Sequence, residues 1–158
     1  MRDRRPVNRD CGVPSGDSPR QAWTPVSSRS RTDGGPHKGL IEGIVADSTR
    51  LEVGLRLVGR NAWVADTEGE TGYIDLVYLD GVGRYLLVEV KVYATEIDKA
   101  IGQIIRHGVM FAQQNFLSEG LVRLAVACPD IPTVHRTACA RARVEWFELK
   151  GLTKPLQP

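Results

Sequence analysis

From Gly39 onward the apolar residues switch between helical and alternating spacing. Leu40, Ile41, Ile44 and Val45 predict a short amphipathic helix, closed by the polar run Asp47-Ser48-Thr49. Leu55 to Ala65, Gly72 to Leu79 and Tyr85 to Tyr93 read as three strands. An acidic turn, Asp66-Thr67-Glu68-Gly69-Glu70, separates the first two, and Asp80-Gly81-Val82-Gly83-Arg84 joins the last two as a hairpin loop. The Gly-x-Gly of that loop precedes a strand rather than a helix, so it is no dinucleotide fingerprint. Thr95-Glu96-Ile97-Asp98 has the spacing of a capping box. The helix it opens carries Ile97, Ile101, Ile104, Ile105, Phe111 and Ala112 and is expected to reach about Leu117. A strand over Leu121 to Cys128, a helix over 133–142 and a strand over Val144 to Leu149 complete the pattern. Helix, three strands, helix, strand, helix, strand is the order of an α/β domain.

Three charges interrupt this pattern. In Leu86-Leu87-Val88-Glu89-Val90-Lys91-Val92, Glu89 and Lys91 share one face of an otherwise apolar strand, with Val88, Val90 and Val92 on the other. Asp75 is set likewise in Tyr73-Ile74-Asp75-Leu76-Val77. Removing an unpaired ion from water costs several kcal/mol, so such positions require a partner. A hairpin turn centred on Val82 opposes Asp80 with Arg84 and Asp75 with Glu89. Two facing carboxylates repel unless they share a proton or hold a cation between them. A hard cation with oxygen ligands, Mg²⁺ above all, suits the pair, and Lys91 would lie beside it. The competing reading is a surface Glu89–Lys91 pair on an edge strand, with Asp75 unrelated.

Composition changes the picture little. Of the 158 residues, 42% are hydrophobic and 25% charged, and the net charge is +2. That charge is unevenly placed. Residues 1–38 hold eight Lys/Arg against four Asp, whereas residues 39–158 hold thirteen Lys/Arg against fifteen Asp/Glu. The first 38 residues also contain five of the nine prolines and five serines, which predicts a disordered basic tail. The expected organisation is thus a tail (1–38), one domain (39–150) and a short C-terminal tail (151–158). No apolar run approaches the roughly 18 residues of a membrane span, and no signal peptide follows Met1, so a cytoplasmic location is expected. Cys11, Cys128 and Cys139 are widely spaced and His37, His107 and His135 do not cluster, which speaks against a disulfide framework or a zinc site.

An Asp followed fourteen residues later by Glu-x-Lys in the next strand resembles the PD-(D/E)XK nuclease superfamily. The segments Glu52 to Arg60, Gly72 to Val77, Leu87 to Lys91 and Gly102 to His107 are similar, in that order, to the RecB-like C-terminal nuclease domain of the NucS endonucleases. Val122 to Glu148 extends the similarity. The resemblance implies a restriction-endonuclease-like three-layer core, with a mixed central β-sheet flanked by helices. It implies a metal-dependent DNA endonuclease in which Asp75, Glu89 and the Val90 carbonyl hold Mg²⁺, with Mn²⁺ as a substitute. Lys91 would activate or orient water, Gln103 matches the glutamine of a helix motif, and Glu42 stands where related nucleases carry a supporting acid. Lys99 and Arg106 lie near Gln103 on the helix face away from the isoleucines and read as phosphate contacts, joined by His107. The sequence departs from the family at His107, where a tyrosine is usual, and at Ile74, where a proline is. The N-terminal domain used by NucS proteins for dimerisation and DNA binding has no counterpart here beyond the basic tail. DNA, single-stranded or branched, is the expected substrate, with a homodimer or a partner chain supplying specificity. A catalytically silent nucleic-acid-binding module or an accessory subunit on the same scaffold is the alternative.

Overall fold

The computed structural model describes residues 35–152. Most of the basic tail (1–34) and the last six residues lie outside the described residues. The elements are α1 (Pro36–Ala46), β1 (Arg56–Ala65), β2 (Thr71–Leu79), β3 (Tyr85–Val90), α2 (Ile97–Gln114), β4 (Val122–Cys128), α3 (Thr133–Arg141) and β5 (Glu145–Glu148). This is the order expected from the spacing of apolar residues, with three differences that bear on the site.

First, α1 begins at Pro36, so His37 and Lys38 belong to the folded domain rather than to the tail. Proline suits a first helical turn because its missing N–H would have had no partner there and its φ is already helical. Second, β3 ends at Val90, three residues short of the expected Tyr93. Third, Glu96 rather than Thr95 closes the turn before α2. Its carboxylate accepts the Tyr93 N–H at 3.3 Å, and its own N–H donates to the Tyr93 carbonyl at 3.1 Å.

The five strands form one sheet in the order β1-β2-β3-β4-β5. β1, β2 and β3 run antiparallel as two hairpins, and β3–β4 and β4–β5 are parallel pairs whose crossovers are α2 and α3. Parallel neighbours need such crossovers, which is why helices begin only after β3. Two cores sandwich the sheet. On one face Val77, Leu87 and Val126 pack with Ile97, Ile104 and Phe111 of α2 and Cys139 of α3. On the other, Leu76, Tyr78, Leu86, Val88 and Val90 pack with Leu40 and Ile44 of α1 and with Leu149. Helix, mixed sheet and helix make the three layers of a restriction-endonuclease-like α/β fold. Cys128 and Cys139 are buried and free, consistent with small apolar core residues.

At the end of the sheet where β2 turns into β3, one cation ties four elements together. The Arg123 guanidinium donates to Glu52, to Asp80 at 3.0 Å and to Glu145. Asp80 also accepts from the Arg84 backbone N–H at 2.8 Å and from its guanidinium at 2.9 Å. Burial favours the protonated acid, but these hydrogen bonds outweigh it and hold Asp80 down to about 2. The end remote from this knot is where the sheet opens.

Candidate metal and nucleic-acid site

The β2–β3 register pairs Leu76 with Val88 and Leu79 with Tyr85, and Asp75 and Glu89 come just beyond the last of these pairs. The backbone ladder stops at Leu76–Val88, one pair short of those two acids. The reason lies in the Asp75 side chain. Its Oδ2 accepts the Val90 N–H at 2.8 Å, taking a donor that would otherwise extend the ladder to β2. On its far side β3 stays paired, since the Lys91 N–H still donates to the Ala127 carbonyl at 2.8 Å. The two strands therefore part at the acids, and a cavity of about 540 Å³ opens between the sheet and α2.

Seven of the residues singled out from the sequence line that cavity: Asp75, Glu89, Lys91, Lys99, Gln103, Arg106 and His107. Glu89 is only 4% exposed. Its Oε1 accepts from Lys91 Nζ at 2.8 Å, while its Oε2 is buried with no hydrogen-bond partner among the described residues. Burial first, and the charge of Asp75 second, raise the Glu89 carboxyl well above the usual carboxylate range, with Lys91 opposing them. Gln103 Oε1 and His107 Nδ1 are likewise buried and without partners. Three unpartnered polar atoms around one cavity are a mark of a binding site, because each costs roughly 1–3 kcal/mol in the free protein.

His107 fits where it stands because Gly72 lies against it. A Cβ on Gly72 would come within van der Waals overlap of the imidazole, so the strand residue must lack a side chain. Desolvation, and then the nearby Arg106, lower the His107 pKa. Glu42 is not part of the site. It is half exposed, absent from the cavity wall, and bound to Arg60 of β1 at 2.5 Å. The helix places it on the side of α1 that faces the outer strand, and an available arginine holds it there.

The residue that sequence reasoning missed is His37. Its Nε2 donates to the Val90 carbonyl at 3.1 Å and lies 3.4 Å from Asp75 Oδ2. The hydrogen bond to Asp75, partly offset by burial, raises its pKa. The imidazole thus touches two of the three groups expected to bind the cation. The available signal was the Pro36-His37 step, which reads as a helix start only when it is not assigned to a proline-rich tail.

Among the described residues no group of three or more His, Cys, Asp or Glu is gathered as a metal site. The fit for a divalent cation rests instead on the two carboxylates, of which Glu89 Oε2 has no partner among the described residues, and on the Val90 carbonyl, which accepts from His37. That oxygen-rich donor set matches a hard cation such as Mg²⁺, and the like charges of Asp75 and Glu89 call for one.

The fold defines a class, that of restriction-endonuclease-like domains, and the solved structures it resembles narrow it. The chain is similar in structure to a repair endonuclease from Pyrococcus abyssi, with 15% identity over 77% of this chain and 50% of that one, at a TM-score of 0.56. It is also similar to EndoMS in complex with double-stranded DNA, at 14% identity, 82% and 51% coverage and a TM-score of 0.59. An XisH family protein from Nostoc punctiforme matches at 12% identity, 73% and 92% coverage and a TM-score of 0.51. The fold is thus shared with part of these endonucleases, and the chain spans about half of their length. No protein family profile matches the chain, and no curated protein matches it in sequence.

Proposed function

We propose that the protein is a metal-dependent endonuclease that hydrolyses DNA phosphodiester bonds. The observation that carries this reading is the convergence of Asp75, Glu89 and Lys91 on one cavity, with a buried Glu89 oxygen left unpartnered. A likeness of fold to repair endonucleases, one of them in complex with double-stranded DNA, supports it.

Asp75, Glu89 and the Val90 carbonyl would hold Mg²⁺, or Mn²⁺ in its place. Such an ion polarises a phosphoryl oxygen and lowers the pKa of water. Asp75 is kept in place by the Val90 N–H, so the carboxylate is positioned before substrate arrives. Lys91 orients the attacking water and offsets phosphate charge, and its ammonium is delivered to the acids by the Glu89 contact. Gln103, with its carbonyl oxygen free, is placed to fix the water or a phosphate, and Lys99, Arg106 and His107 flank the path of the strand.

A homodimer or a partner chain would supply the choice of DNA structure, with this domain supplying the chemistry. A cytoplasmic location is consistent with this role, and no helix among the described residues is long and apolar enough to cross a membrane. The test is cleavage of labelled single-stranded, branched and duplex DNA with Mg²⁺ or Mn²⁺. Lys91→Ala is expected to lose cleavage by a factor of about 100 or more while keeping the parent's circular dichroism. Cleavage by Lys91→Ala at the parental rate would refute the assignment, and metal-bound protein that cuts nothing would favour a silent binding module.

A further inference from the structure

We propose that the outer face of α2 is a self-complementary seam through which two copies of this chain pair antiparallel, about a two-fold axis near Val109. The inference rests on α2 alone and goes beyond the nuclease reading, so it stands or falls separately from cleavage.

Gly102, Ile105, Val109 and Ala112 recur on α2 at intervals of three, four and three, the spacing that seams one helix to another. The sheet is already served by a different stripe of the same helix, Ile97, Ile104 and Phe111. Ile105 and Val109 belong to neither core and are 37% and 54% exposed. Just past the helix, Phe116 is 97% exposed, so its ring stands almost wholly in solvent. Its φ is 53°, a left-handed position where glycine is the usual residue and a bulky side chain is strained. The helix end is closed by the Leu117 N–H on the Ala112 carbonyl at 2.9 Å, a bond that asks nothing of the Phe116 ring. Neither the core nor the cap calls for this aromatic group, and exposed aromatic anchors of this kind are what protein interfaces bury.

The occupant follows from the symmetry of the stripe. Phe116 and Gly102 stand at equal distances along the sequence on either side of Val109. Turning a second copy end for end about Val109 sets each Phe116 over the other copy's Gly102 and brings Ile105 toward Ala112. A Cβ at Gly102 would meet nothing within 4 Å, so the position is an open notch in the helix surface. Two knobs exchanged into two notches are what an isologous interface requires. Asp98, where the stripe ends, is held by His135 of α3 at 3.0 Å. The 18 residues of α2 offer a face of about 27 Å by 10 Å. That is less than the roughly 800 Å² per partner of a standard interface, so the pair forms and parts with concentration. Lys99, Gln103 and Arg106 lie to one side of the stripe. A two-fold axis perpendicular to both helices leaves the two rows on the same side of the pair, running in opposite directions.

The test is sedimentation velocity of the full chain over a concentration series, with circular dichroism to check that each protein is folded. The proteins are the parent, Phe116→Ser, Val109→Glu, Val109→Lys and an equimolar mixture of the last two. The parent is expected to pass from monomer to dimer as concentration rises. Phe116→Ser changes a side chain that the fold leaves in solvent, and should weaken dimerisation by roughly tenfold or more. Val109→Glu and Val109→Lys each set like charges against one another across the axis and should do the same, while their mixture should regain the dimer. Rescue by mixing requires that position 109 meet its own copy. A parent that stays a monomer throughout would overturn the pairing and give the stripe to another partner. A dimer untouched by these substitutions, or one that mixing does not restore, would overturn the two-fold seam.

Discussion

Asp75 shapes the backbone at the place where it would also hold the cation. By accepting the Val90 N–H it ends the β2–β3 ladder and opens the cavity that its own carboxylate serves. The register from Leu79–Tyr85 to Leu76–Val88 was legible in the sequence because a loop centred on Val82 fixes it, and Asp75 and Glu89 meet at one cavity just beyond the last pair. The parting of the strands was not, since it depends on a side chain replacing a backbone partner. Gly72 and His107 give a test at the same scale. Gly72→Ala forces the imidazole aside and is expected to cost about 1–3 kcal/mol in urea unfolding. In a His107→Ala background most of that cost should vanish, and an undiminished cost there would mean that the two do not share the space. Glu42→Gln, by contrast, loses one exposed ion pair to Arg60. It should change stability by less than about 1 kcal/mol and leave DNA cleavage near parental. A large loss of cleavage would return Glu42 to the site.

Among the elements, α2 divides its labour by face. Ile97, Ile104 and Phe111 pack against the sheet, while Lys99, Gln103 and Arg106 face the cavity. Ile104→Ala should therefore lower unfolding free energy by about 2–5 kcal/mol. A Lys99→Ala/Arg106→Ala double variant should keep stability within about 0.5 kcal/mol per site. It should instead weaken DNA binding and flatten its salt dependence by roughly two phosphate contacts. A binding isotherm with an unchanged salt slope would place the strand elsewhere. The periodicity of α2 was plain in the sequence, and so was the face carrying Lys99 and Arg106. Its start was misplaced because Thr95 and Glu96 both have capping chemistry, and only the fold decides that Glu96 reaches the Tyr93 N–H. α1 was read short for a similar reason, since a proline both ends tails and begins helices.

Over the whole molecule, the sheet is tied at one end and open at the other. The Arg123 knot joins β2, β4, β5 and the turn at Glu52, remote in sequence and invisible to any local pattern. Arg123 is only 12% exposed and Asp80 only 3% at the side chain, so Arg123→Met leaves a buried carboxylate short of one of its two guanidinium partners. A loss of about 3 kcal/mol or more is expected from such a break. The pH dependence has a definite sign. Asp80 is depressed from 3.8 to about 2, so its contribution is present above pH 3.8 and is lost as pH falls toward 2. Urea midpoints should thus fall across that window in the parent, and the fall should be shallower in Asp80→Asn, which starts less stable. Identical acid profiles would remove Asp80 from the account.

The most direct measurement is a calorimetric titration of the parent and of an Asp75→Asn/Glu89→Gln variant with Mn²⁺ and Mg²⁺, run beside DNA cleavage in the same buffers. The two carboxylates and the unpartnered Glu89 oxygen predict binding in the parent, its loss in the variant, and cleavage only where the ion binds. Binding that survives in the variant, or a parent that binds no divalent ion, would contradict the assignment of Asp75 and Glu89 as the metal site.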